Sequence, residues 1–109
     1  GPIPKAMMLL GQCANFTFQN ITDAEKAIDA TLQVYIDNPD AGDWEAWFND
    51  RPIFKIDHAE SSSEPNSTEK ILTWSIPEKI ISNGDNHIEF RSKDIEKSVI
   101  VFIELTIRR

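Results

Sequence analysis

ILTWSIPEKIISNGDNHIEF, residues 71–90, reads as a strand, a brief helical turn and a second strand. In the opening segment Leu72, Trp74 and Ile76 fall on one side and Ile71, Thr73 and Ser75 on the other, the period of two that a half-buried strand requires. Ser75 stands three residues before Glu78 at the spacing of a capping box, and Pro77 suits the first turn of a helix. Asn83-Gly84 then supplies residue types that accept the left-handed backbone ending such a turn. Alternation resumes at once in HIEFR, with Ile88 and Phe90 inward and His87, Glu89 and Arg91 outward. Thr22 with Glu25 offers the same capping spacing for a turn through Ala27 and Ile28.

The same period runs outward along the chain. ATLQVYI places Ala30, Leu32, Val34 and Ile36 inward and Thr31, Gln33 and Tyr35 outward, while NFTFQ alternates Phe16 and Phe18 with polar neighbours. KAMMLL, before it, is a weaker strand candidate. DWEAWFNDRPIFKID reads as a hairpin closed at Asn49-Asp50, with Trp44, Ala46 and Phe48 inward and Glu45, Trp47 and Asn49 outward. Beyond the turn, Phe54 and Ile56 are expected inside and Lys55 outside. SVIVFIELTI sets Val99, Val101, Ile103, Leu105 and Ile107 on one face, and Ile100 and Phe102 make the other partly apolar, which predicts a central strand. Short strands with turn signals between them predict an all-β, two-sheet antiparallel β-sandwich with one or two short helical turns.

The chain's 109 residues fit this single domain, and its 40% hydrophobic content is ordinary for a globular protein. No apolar run approaches the roughly 20 residues of a membrane-spanning helix. Residues 1–4, beginning Gly1-Pro2, resemble a protease scar or linker on an excised module, and residues 59–69, AESSSEPNSTE, are expected to form a mobile loop. The net charge of −7 is concentrated between Asp23 and Asp50, where eight acids face Lys26 alone. That distribution argues against nucleic acid, whose binding depends on clustered Lys and Arg, and leaves neutral sugars, cations or basic protein surfaces as partners. A single cysteine, Cys13, excludes an internal disulfide and any Cys-pair zinc site. Asn15, Asn20 and Asn66 each open an N-glycosylation triplet.

The string WSIPEKIISNGDNHIEFRS resembles the "IP...I..G.N.I.F" signature of galactose-binding-like jelly-roll sandwiches, and YIDNPDAGDWEAWFNDRPI is similar to their loop, strand, turn and strand unit, with Asn49-Asp50 in place of Asn-Gly. The likeness covers residues 31–107. It implies an accessory module of the kind appended to glycoside hydrolases, binding glycan or buttressing a catalytic domain, extracellular, periplasmic or at the cell surface. A monomer is the expected state.

Catalysis finds little support in the residues. His58 borders the serine-rich stretch, His87 lies on an outward strand face, and the Gly-rich phosphate loop, nucleophile elbow and His-Glu-x-x-His motifs are all missing from the sequence. No catalytic residue is therefore assigned. Two binding sites are candidates. Outward Trp47 and Tyr35 would stack on the apolar faces of sugar rings, with Gln33, Glu45 and Asn49 as hydrogen-bonding partners, provided their strands share a sheet, or Trp47 packs under a loop or against a neighbouring domain. Trp44 and Trp74 belong to the core. The loop DNPDAGD would offer Asp37, Asn38, Asp40 and Asp43 as oxygen ligands to a structural calcium, or is an ordinary turn of the same residue types. Two functions follow for test: a non-catalytic accessory module with weak glycan binding, or a structural, adhesion-type interaction domain.

Overall fold

A computed structural model describes residues 13–38, 41–56, 69–93 and 95–109. The strands are β1 (Cys13–Ile21), β2 (Asp29–Asp37), β3 (Glu45–Phe48), β4 (Arg51–Ile56), β5 (Glu69–Ile76), β6 (Gly84–Arg91) and β7 (Val99–Arg108). Among the described residues all pairings are antiparallel, and the seven strands follow the order β1-β6-β3-β4-β5-β2-β7 in one sheet. That sheet curls into a half-barrel, where the sequence predicts two stacked layers. Single 3-10 turns occupy Ala24–Lys26, Glu78–Ile80 and Ile95–Lys97. Among the described residues, no helix is long and apolar enough to cross a membrane. KAMMLL, residues 1–4, His58 and all of the serine-rich stretch except Glu69 lie outside the described residues.

β4 makes the bend. Ala46 pairs with Ile53 and Phe48 with Arg51 on its first half, whereas Phe54, Lys55 and Ile56 pair with Ser75, Trp74 and Thr73 on its second. The strand thus leaves one neighbour and joins another midway. Pro52, which has no N–H to donate, lies where β4 has no β5 partner.

The inner faces form a single core. Leu32, Val34 and Ile36 from β2 meet Trp74 and Ile76 from β5, Phe48 from β3 and Ile88 and Phe90 from β6, none more than 1% exposed. Each such side chain contributes about 1.5–3 kcal/mol by leaving water. Trp44 and Trp74 flank the Phe90 ring at 5.8 and 5.4 Å between centroids, as core residues should.

Two phase expectations are corrected. A two-residue turn sets Phe48 opposite Arg51, so Ile53 and Lys55 share the core side while Phe54 and Ile56 point outward, 81% and 37% exposed. On β7, Tyr35 pairs with Phe102 but Ile36 pairs with Ile100, leaving Val101 as an extra residue. This bulge brings Ile100 against the core and turns Val99 and Val101 out, 62% and 56% exposed. Among the described residues β7 is also an edge strand, with β2 as its neighbour, and not the central strand its apolar faces suggest.

The punctuation between β5 and β6 is built from side-chain amides. Asn86, fully buried, accepts from the Ser82 N–H at 2.8 Å and donates back to the Ser82 carbonyl at 2.8 Å. Asn83 Oδ1 accepts from the Ala24 N–H at 2.9 Å, tying the first 3-10 turn to this corner. Gly84, at φ 89°, opens β6 in a conformation that side chains rarely adopt. Neither capping box forms: Ser75 lies within β5, the caps are Pro77 and Asp23, and no side chain closes either turn. Just beyond the two edge strands, Arg109 Nη2 donates to the Thr22 carbonyl at 2.7 Å and links the residues that follow β7 and β1.

Candidate functional site

The five residues of the expected aromatic platform do not come together. Trp47 does point away from the core, between Glu89 of β6 and Pro52 of β4. It is nevertheless only 8% exposed, because the Arg91 guanidinium lies over its ring with Cζ 3.3 Å from the centroid. Arg91 Nε donates to Glu89 Oε2 at 2.5 Å, and the two are themselves 6% and 7% exposed. The expectation of a wet Trp47 is therefore corrected by a residue on the neighbouring strand whose long side chain covers the indole and whose charge is drawn to its π face. Only the β3–β6 pairing reveals this, since nothing within either strand's own alternation brings Trp47 beneath Arg91.

Asn49 holds the turn instead of a ligand. At φ 49° it occupies the left-handed conformation expected of it, followed by Asp50 at 65°. Its Nδ2 donates to the Ile80 carbonyl at 2.7 Å and to Asn86 Oδ1 at 2.9 Å, and its Oδ1 accepts from the His87 N–H at 2.8 Å. Gln33 and Tyr35 share the sheet with Trp47, but β4 and β5 intervene between β2 and β3. Three strand spacings separate them, about 14 Å. Glu45, half-buried opposite Arg91, stays with Trp47.

Where the segment leading into β3 meets the second half of β4, a cleft of about 690 Å³ opens. Trp44, Trp47, Trp74 and Phe54 supply its aromatic lining, and Asp43, Glu45, Lys55 and Lys93 bring charge of both signs to it. Trp44 and Trp74 are nearly buried, so the ring available to a ligand is that of Phe54, which the sequence places in the core. The signal that could have found it is the parity of a two-residue hairpin loop counted forward from Phe48. Lys55, on the core side of β4, donates from Nζ to the Gly42 carbonyl and braces the segment beside the cleft. Trp44 Nε1 is, among the described residues, a buried donor without a partner. Such a group costs about 1–3 kcal/mol when left unmade.

The calcium candidates are described only in part. Asp40 lies outside the described residues, and Asn38 Nδ2 donates to Ser98 Oγ at 3.0 Å. Asp37 is exposed at the end of β2, while Asp43 is exposed beside the cleft. Among the described residues, no three His, Cys, Asp or Glu side chains are grouped to hold a metal. His87 is exposed as expected, within 3.1 Å of Thr17 Oγ1 through its Nδ1. Cys13 is half-buried.

No family model matches the chain, and no curated protein matches it in sequence.

Proposed function

We propose that the chain is a non-catalytic accessory module that binds carbohydrate weakly, as part of a larger exported, carbohydrate-active protein. The observation that carries the reading is the cleft of about 690 Å³, within the range typical of small-molecule sites, with the exposed Phe54 ring on its lining. A flat ring suits the apolar C–H face of a sugar, and the charged side chains nearby suit its hydroxyls. The resemblance to galactose-binding-like jelly-roll modules points the same way. In the signature it rests on, Ile76, Ile81, Asn86, Ile88 and Phe90 are all buried and Gly84 has positive φ, so those residues serve the fold and leave ligand choice to the loops and faces around it.

The test is calorimetric titration of the chain with a panel of mono- and disaccharides, repeated on Phe54→Ala and Trp44→Phe. Binding by the wild type that Phe54→Ala weakens about tenfold supports the reading. Absence of binding across the panel, or equal binding by Phe54→Ala, overturns it. A second reading, an interaction domain, is favoured by Val99 and Val101, exposed on edge strand β7. Concentration-dependent association that Val101→Lys abolishes would support that alternative.

A further inference from the structure

Phe54 belongs to two surfaces at once. It lines the cleft, and it also begins a cross-strand row on the outer face of the sheet, opposite Ser75 of β5, which in turn pairs with Thr31 of β2. Two residues further along β2, Gln33 holds the middle of the next row, its Nε2 donating to Thr73 Oγ1 at 3.4 Å. Two further still, Tyr35 meets Phe102 of β7 edge to face, with ring centroids 5.5 Å apart and planes at 81°. Phe102 is 51% exposed. The face thus carries aromatic rings at its two ends and hydroxyls and an amide between them, with exposed Ile56 and half-buried Ile71 along its β4–β5 side.

We infer that this outer face continues the cleft as a second carbohydrate contact, which holds an extended, neutral polysaccharide chain rather than a single sugar. The inference rests on the carbohydrate reading of the cleft and adds the ligand's length and charge. Length follows from spacing: from Phe54 to Tyr35 is two strand spacings across and four residues along, about 16 Å, more than one sugar ring covers. Charge follows from composition. In a chain of net charge −7, Glu104 is the one ionised side chain in these three rows among the described residues. A protein-binding surface has an apolar centre and a polar rim, whereas Thr31, Gln33, Thr73 and Ser75 make the centre of this face polar. Rings set apart by hydroxyl and amide groups match a chain that presents apolar ring faces and hydroxyls in alternation.

The experiment is affinity electrophoresis through gels containing soluble galactomannan, xyloglucan or mixed-linkage β-glucan. Titration with the disaccharide and hexasaccharide of whichever polymer retards the protein accompanies it. The proteins are wild type, Tyr35→Ala/Phe102→Ala, Gln33→Ala and Phe54→Ala, each checked by circular dichroism and melting temperature. The expected result is tighter binding of hexasaccharide than of disaccharide. The double variant should lose about tenfold on polymer and hexasaccharide with disaccharide binding unchanged, while Phe54→Ala loses both. Gln33→Ala, which leaves every ring in place, should show a smaller loss of the same selectivity. Equal affinity for the two lengths, or a double variant that migrates like wild type, overturns the second contact and leaves the cleft reading standing. A wild type retarded by no polymer and binding no oligosaccharide overturns both. Self-association removed by Tyr35→Ala/Phe102→Ala without any change in polymer retardation would assign the face to protein and overturn the inference.

Discussion

Arg91 carries two tasks with one side chain: it covers Trp47 and neutralises Glu89 where both are nearly out of water. Removing it leaves a buried carboxylate without its guanidinium, a change worth about 3–5 kcal/mol in comparable pairs. Arg91→Ala is therefore expected to lower stability by about 3 kcal/mol in a denaturant titration and to shift tryptophan emission to the red. Arg91→Met, which keeps an apolar cover over the ring, should restore part of the emission but little of the stability. Asn49 tests a different bond set. Asn49→Gly accepts the positive φ yet gives up the bonds to Ile80, Asn86 and the His87 N–H, so a loss of about 1–3 kcal/mol is expected where a purely conformational role would show none. The conformation of Asn49-Asp50 was legible in the sequence because it depends on two adjacent residue types. The burial of Trp47 was not, because it depends on which strand lies beside it.

At the scale of the element, alternation is read correctly wherever the ladder is regular. β2 and β5 bury Leu32, Val34, Ile36, Leu72, Trp74 and Ile76 as their own period requires. Errors enter where the phase is reset, after the hairpin loop into β4 and ahead of the bulge in β7, since an odd step puts the side chains on its two sides out of phase. The resets give paired predictions. Ile53→Ala is expected to cost about 2–4 kcal/mol, while Phe54→Ser, at an exposed position, should change stability by less than about 0.5 kcal/mol. In β7, Ile100→Ala should destabilise measurably and Val101→Ala hardly at all; the opposite ranking in thermal unfolding would remove the bulge. One of the resets explains part of the site. Phe54 becomes available to a ligand only through the hairpin's parity, whereas Phe102 keeps the face its alternation gives and meets Tyr35 through the β2–β7 pairing.

Across the whole molecule, the ends of the strands are fastened by charge. Asp29 at the start of β2 accepts from Arg108 at the end of β7, and the hydrogen bonds and charge of that guanidinium hold the Asp29 carboxyl below its ordinary value. A lowered folded pKa means that the pair's contribution is present above the usual aspartate range and lost as pH falls through the lowered value. The pair is exposed, so the effect is small and screened by salt. Asp29→Asn should accordingly flatten the acid limb of a melting-temperature curve at low ionic strength and leave neutral-pH melting in high salt unchanged. The all-β class was legible because it is written into every strand, whereas the half-barrel is not, since it arises from one short strand that changes neighbours between Ile53 and Phe54. That change of neighbours is expected to couple the halves dynamically. Neither half possesses β4 outright, so an opening that frees β3 from β4 also loosens β4 from β5. Amide protons on either side of the corner should then exchange with deuterium through one shared excursion, with matching protection and matching response to denaturant, as a single cooperative unit.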